Sequence, residues 1–579
     1  MPHERGHGTR RVWVPAAFFG AFALIILGRL VQLQVVEHPK YAKAAENELV
    51  GSNTVYAPRG SILDRNGDVL ALSVNTWDVY VNTNVWKDPA KAAAGASAIG
   101  KALGLDPAKL EKSVTDAAAG GTVDYLVQRD VDYDLGNQLV SSGVPGIITQ
   151  QDSQRVHPDG DVGSSILGIT GTDNTGLAGI EDSYNEILQG KAGKTIYERD
   201  ATDQPIPYGE YNAVDPVAGE DVELTIDRYI QKMAEDTLTK AVAQHQAKGG
   251  DIIVMDPQTG EILADATMPG LEYSTLDLND PASLALLRNR SVTDLYEPGS
   301  VMKIVTASGA INNGVVTPDT TYVDTGEVTV AGITLKNWDD SVYGTQTMTG
   351  VLQNSINTGA VFMEQRLGTA AFQHYLDAFG FGQLTGIGLN GEAPGIFRRP
   401  TDPGFSPVDV ATQAFGQSIS VTPVQMITAV AAAINGGKLM KPHLVKATIS
   451  ADGVVHPVQP QVIRQAVTPQ TSATMRMMLN AVVEQDPPNE SLRNPTNYTA
   501  GGKSGTANIP IYGTYNDTQI ASFIGFAPLN NPQILILIKL DDNLDLMTGT
   551  MAGGPIFSKM ADDILAYMGV PPDKGPNKP

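Results

Sequence analysis

A long uncharged run opens the chain. From Val12 to Gly28 no residue carries a charge, and beyond Arg29 the apolar residues Leu30, Val31, Leu33, Val35 and Val36 extend it. Such a stretch is long enough to cross a bilayer, so residues 12–36 are predicted to form a transmembrane anchor behind a short tail at 1–11. Arg5, Arg10 and Arg11 lie upstream and place the N-terminus in the cytoplasm. A cleavable signal peptide needs a small-residue cleavage site after a short apolar stretch. Leu27-Gly28-Arg29-Leu30-Val31-Gln32-Leu33 offers none, so the anchor is expected to stay, with everything after it extracytoplasmic.

Residues 50–215 alternate short strand-like runs, such as Val79-Tyr80-Val81 and Ile147-Ile148-Thr149, with glycine-rich turns and one Ala/Lys helix near 89–104. No convergent catalytic set lies there. Pro216-Val217-Ala218-Gly219-Glu220 reads as a linker, and an α/β pattern then starts at Val222-Glu223-Leu224-Thr225. A helix near 228–247 follows, then strands at Ile252–Met255 and Ile262–Ala264 around a turn at Asp256-Pro257. Strands at Ile520–Phe526 and Ile534–Leu540 and a helix near 556–568 close the region. The expected architecture over 216–570 is a sheet between helical layers. Pro571 to Pro579 reads as a disordered tail.

With 579 residues there is room for several domains. A net charge of −23, with no basic block beyond the N-terminal arginines, argues against nucleic acid as a partner. The absence of cysteine rules out a thiol enzyme, and no His-Glu-x-x-His occurs for a zinc hydrolase. No metal or other cofactor is expected.

Three strings carry the chemistry: Ser300-Val301-Met302-Lys303, Ser355-Ile356-Asn357 and Lys503-Ser504-Gly505-Thr506. Tyr296-Glu297-Pro298-Gly299 is a turn signal that lets a helix begin at Ser300, where the dipole favours charge developing on an attacking oxygen. Lys303 shares that helix face at i+3, and its neighbours Val301, Met302, Ile304, Val305, Ala307, Ala310 and Ile311 are apolar. Burial among them disfavours the ammonium and makes a general base. Ser355 opens a second helix with a hydroxyl able to relay a proton, and Asn357 adds a carboxamide for a substrate backbone. Gly501-Gly502 and Gly505 mark the third string as a strand edge, with Lys503 and Thr506 facing a peptide carboxylate. None of the eight histidines lies within a few residues of the strings, which argues against a Ser-His-Asp triad. Taken singly, each has a bland reading as a helix cap or a glycine turn. All three in this order are the signature of a penicillin-recognising serine acyl-transferase.

From the membrane segment to about residue 570 the chain resembles the class B penicillin-binding proteins, the monofunctional peptidoglycan transpeptidases of the FtsI type. Further carriers are Arg59-Gly60-Ser61-Ile62-Leu63-Asp64-Arg65-Asn66-Gly67, Gly176-Leu177-Ala178-Gly179-Ile180-Glu181, Leu224-Thr225-Ile226-Asp227 with Gln231, and Thr259 to Ala264. Arg288-Asn289-Arg290, Thr422-Pro423-Val424-Gln425-Met426 and Ala521 to Pro528 complete them. The resemblance implies a penicillin-recognising serine transpeptidase fold over 216–570, behind a non-catalytic, dimerisation-type pedestal at 50–215. It implies that Ser300 is the acylated nucleophile, Lys303 its base, Ser355 the proton relay and Asn357 a ligand of the substrate amide. Lys503, Ser504 and Thr506 would bind the terminal carboxylate, and the backbone N–H groups of Ser300 and Thr506 would form the oxyanion hole. Ile356 is bulkier than the small residue the family commonly has there. The implied activity is D,D-transpeptidation of stem peptides ending in D-Ala-D-Ala, with β-lactams as inhibitors, in cell-wall synthesis and division. The implied partner is a polytopic glycosyltransferase of the FtsW/RodA type with other division proteins. A D,D-carboxypeptidase or β-lactamase, using water as acceptor, and a non-catalytic division scaffold are the competing readings. The Arg59 to Gly67 string is assigned no catalytic role.

Overall fold

The computed structural model describes residues 8–55, 57–198, 211–485, 493–511, 514–542 and 547–575. The uncharged run becomes helix α1 (Gly8–Val31), extended by a π turn over Gln32–Val36. Its apolar window, Trp13–Val36, is 24 residues with none buried by protein. At 1.5 Å per residue that is about 36 Å, enough for a hydrocarbon core of about 30 Å. Arg10 and Arg11, expected in a tail, already lie inside α1, and residues 1–7 fall outside the described residues. A helix over His38–Leu49 follows. The strand Val50–Val55 then pairs antiparallel with Gly193–Glu198, which pairs with Tyr211–Val214. This segment, with residues 191–217, forms a unit of its own.

The second unit comprises residues 58–190 and everything from Ala218 onward. The expected strand at Val79 is part of a 14-residue strand, Val69–Asn82, which pairs with Asp124–Asp132 and Ile147–Val156. Asp88-Pro89 starts the expected alanine-rich helix, Pro89–Leu103: the carboxylate accepts from the Ala90 N–H, and proline stands where no donor is needed. Val79, Val81, Trp86, Ile99 and Leu110 make a local core.

Ile62 pairs in parallel with Val222, and Val222 pairs with Thr448. Strands from both sides of the expected linker therefore share one sheet. The linker is tightly held as well, since a Cβ on Gly219 would lie 1.8 Å from the Leu188 carbonyl oxygen.

Asp227 caps helix α2 (Arg228–Gln244) by accepting from the Tyr229 and Ile230 N–H groups. The strands β1 (Gly249–Met255), β2 (Ile262–Met268), β3 (Gly501–Ile511), β4 (Thr514–Ala527) and β5 (Ile534–Asp541) form a sheet in the order β2-β1-β5-β4-β3. Side-chain alternation serves two faces. Ile252, Val254, Ile536 and Ile538 join Ile230, Leu238, Phe557 and Ile564 of α2 and α5 (Gly549–Tyr567) in one core. Ile253, Met255, Leu535 and Leu537 face the other, which contains Ile304, Val305 and Ala307 of α3 (Lys303–Asn312) and Ala360, Val361 and Met363 of α4 (Asn357–Leu367). This is the expected sheet between helical layers.

The expectation of a disordered tail from Pro571 needs correction. The Asp573 carboxylate accepts from the Thr499 N–H at 2.6 Å and the Lys574 N–H donates to the Asn497 carbonyl, so this stretch is pinned to the approach of β3. Residues 576–579 lie outside the described residues.

Candidate active site

Two backbones cross closely at Gly299 and Gly416. A Cβ on Gly416 would lie 2.1 Å from the Gly299 carbonyl oxygen, and the Gly299 N–H donates to the Gly416 carbonyl at 3.0 Å. Both residues have positive φ, +55° and +86°, which glycine adopts without penalty. The crossing launches a single 3₁₀ turn, Gly299–Met302, that carries Ser300 and runs into α3 at Lys303. Flanking side chains Val301, Met302, Ile304 and Val305 are all fully buried, which fixes the turn.

Lys303 is completely buried. Its Nζ lies 2.9 Å from Ser300 Oγ, 2.6 Å from the Ser355 carbonyl oxygen, 2.8 Å from Asn357 Oδ1 and 3.4 Å from Ser355 Oγ. Burial, and then the nearby charge of Lys503, holds its pKa well below the ordinary lysine range.

Ser355 follows the short helix Met348–Gln353 with φ of +56°, a strained conformation for a non-glycine residue. Burial of the Ile356 side chain on one side and the start of α4 on the other impose it. The bulk of Ile356 is thereby absorbed by the core. The Ser355 hydroxyl bridges the lysines, accepting from Lys503 Nζ at 3.0 Å.

Lys503 lies on β3, which pairs with β4 at the end of the sheet. Gly505 has no room for a side chain: a Cβ would come within 2.5 Å of Ser522 Oγ and 2.8 Å of the Pro298 carbonyl oxygen. The strand therefore presses against the turn bearing Ser300. Lys503 Nζ also donates to the Ser504 carbonyl, and burial with the charge of Arg493 brings its pKa down to about 7. The Thr506 hydroxyl accepts from the Gly549 N–H at the start of α5.

Ser300, Ser355, Asn357, Ser504 and Thr506 line one cleft of ≈ 540 Å³. Lys303 and Lys503 lie beneath it, bonded to its lining residues. The three strings, spread over more than 200 positions of sequence, thus converge.

Sequence reasoning missed part of the rim. Trp338 and Tyr343 line the cleft from a loop that the Asp324 carboxylate holds in place. This buried group accepts from Thr358 Oγ1, the Tyr343 and Gly326 N–H groups and Asn337 Nδ2. Burial would raise its pKa, but these four bonds outweigh it and hold the carboxyl below its usual range. Arg493, Thr548 and Thr550 also line the cleft. No short motif marks any of these residues.

The remaining quoted strings do not converge on the cleft. Arg59 and Arg155 enclose the Glu181 carboxylate at 2.5 and 2.6 Å, all three buried or nearly so. Asn289 Nδ2 and the Ser291 hydroxyl donate to Asp265, whose burial lifts its pKa to about 6. Arg290 pairs with Asp541. These strings build the frame.

The chain is similar to known proteins along most of its length. The family model described as penicillin binding protein transpeptidase domain matches residues 250–565, and that of the penicillin-binding protein dimerisation domain matches 54–224. Stage V sporulation protein D of Bacillus subtilis is 32% identical over 564 residues, covering 96% of this chain and 85% of the relative. Peptidoglycan D,D-transpeptidase FtsI of Escherichia coli K12 is 29% identical, covering 98% and 94%. Among solved structures, penicillin-binding protein 2X of Streptococcus thermophilus superposes with a TM-score of 0.78 at 24% identity, over 90% of this chain and 81% of that one. Penicillin-binding protein 3 of Mycobacterium tuberculosis, complexed with aztreonam, gives 0.68 at 27% identity, over 90% and 98%.

Proposed function

This chain belongs to the penicillin-binding protein transpeptidases of class B, and from that premise we propose that it cross-links peptidoglycan through an acyl-enzyme on Ser300. One observation carries the reading: a serine hydroxyl 2.9 Å from a buried lysine amine, beside a second serine that bridges to a second lysine, in an open cleft.

A neutral Lys303 amine has two N–H donors and one lone pair. The Ser355 carbonyl and Asn357 Oδ1 only accept, so they take the donors and leave the lone pair to the Ser300 hydroxyl. Ser300 Oγ attacks the carbonyl carbon of the penultimate D-Ala while its proton passes to Lys303. The backbone N–H groups of Ser300 and Thr506 hold the oxyanion. As the C–N bond breaks, the proton travels through the Ser355 hydroxyl to the departing D-Ala amine. An amine from a neighbouring stem peptide then attacks the ester, gives its proton to the same relay, and frees Ser300. Asn357 binds the donor backbone, and Ser504 and Thr506 bind the donor's end.

The protein is a membrane-anchored enzyme of wall synthesis in this reading, with α1 as anchor, its N-terminus cytoplasmic and the catalytic region outside. A FtsW/RodA-type glycosyltransferase would supply the glycan strands. Labelled penicillin should attach covalently to Ser300, because an activated hydroxyl and its oxyanion hole act alike on any strained acyl donor. Peptide mapping should place the label on the peptide containing Ser300, and Ser300→Ala should carry none; a label elsewhere overturns the reading.

A further inference from the structure

The donor peptide ends in a carboxylate, and the lysine expected to read it is engaged elsewhere. Lys503 is 1% exposed and donates to Ser355 Oγ and the Ser504 carbonyl, on the side of the proton relay. A different cation, Arg493, lines the cleft together with Thr506. The first turn of α5 contacts both groups: the Gly549 N–H donates to the Thr506 hydroxyl, and Thr550, one residue further, accepts from Arg493 Nη1 at 3.4 Å. Arg493, Thr506, Thr548 and Thr550 all line the cleft.

We propose that Arg493 is the cation that recognises the donor's terminal carboxylate, holding it between its guanidinium and the Thr506 hydroxyl at the first turn of α5. The proposal rests on the reading of Ser300 as the acylated nucleophile and refines how that site selects its donor. Thr506 Oγ1 accepts from Gly549, and its own O–H is a donor that a carboxylate oxygen can accept. Arginine suits this position chemically. It stays charged at every working pH and meets a carboxylate with a planar fork, whereas Lys503 loses its proton near neutrality. The two lysines are thereby left to the proton path, and recognition of charge is separated from movement of protons.

The test compares two thioester donors that differ only at the end, one a carboxylate and one its carboxamide, in acylation of Ser300 on the full-length protein. Arg493→Gln should lower acylation efficiency for the carboxylate donor by about 10- to 150-fold, the range of a lost charge-assisted hydrogen bond, and for the amide by less than about threefold. Arg493→Lys should recover part of the preference. Thr550→Val, which only removes the hydroxyl orienting the guanidinium, should show a smaller loss of the same selectivity and covers the case where Arg493→Gln fails to fold. Equal losses on both donors, or an unchanged carboxylate preference in Arg493→Gln, would overturn the assignment. If neither donor acylates the parent protein, the transpeptidase reading itself falls and this proposal with it.

Discussion

At the scale of single residues the proposed mechanism turns on the charge of Lys303. In that mechanism its amine acts only without its proton, so acylation should rise with pH as the folded protein's Lys303 deprotonates. A penicillin-acylation rate followed against pH reads this directly, and a rate that falls over the same range contradicts the base role. Lys303→Arg keeps the cation but cannot deprotonate. In a variant shown by its thermal unfolding to be folded, acylation should drop about a thousandfold or more. Stability carries the same sign. Between its folded pKa and about 10.4 the unfolded chain binds more protons than the folded one, so burying Lys303 weakens the protein at neutral pH and less so as pH rises. Ser300, Lys303, Ser355 and Lys503 were legible in the sequence because each lies in a short string whose spacing is itself chemical. Arg493 was not: the role proposed for it depends on what α5 brings beside it, and α5 begins 56 positions later.

At the scale of elements, the loop carrying Trp338 and Tyr343 has little regular structure to hold it. Its anchor is Asp324, at the end of a four-residue strand, which reaches the first turn of α4 through Thr358 and Asn337. Asp324→Ala would leave several buried donors unpaired, at a cost of about 2–4 kcal/mol. Calorimetry should register that loss, and acylation efficiency should fall further than the unfolded fraction explains, since Asn357 Nδ2 bonds the same loop at the Lys336 carbonyl. Normal acylation in the folded variant would show that the loop needs no such anchor. The carboxyl's depressed pKa gives the sign: its contribution is intact above about pH 4 and fades only as pH falls below the ordinary carboxylate range. The catalytic strands and helices were legible from apolar runs, for Ile252–Met255 and Ile534–Leu540 are strands by composition alone. The anchoring of the loop was hidden, because polar residues in loops announce no partners.

At the scale of the whole molecule, Glu181 ties two arginines together on the pedestal side. Glu181→Gln keeps the shape but leaves Arg59 and Arg155 without their buried counter-charge, a loss of about 3–5 kcal/mol. The unfolding midpoint should fall accordingly, while the folded fraction acylates penicillin normally, because no atom of this cluster lines the cleft. A slowed reaction with an unchanged midpoint would reverse that assignment. The sequence divided this region cleanly at 216, whereas the backbone does not: Ile62, Val222 and Thr448 stand side by side in one sheet. Such pairings over 160 and 226 positions leave no local trace. They do constrain inheritance. A recombination event that exchanges residues 50–215 with a relative brings in the strand at Ile62 but leaves its neighbours at 222 and 448 to the recipient. Mosaic descendants should therefore survive with breakpoints inside the outlying pedestal core, and fail wherever a breakpoint separates this strand from partners it can match.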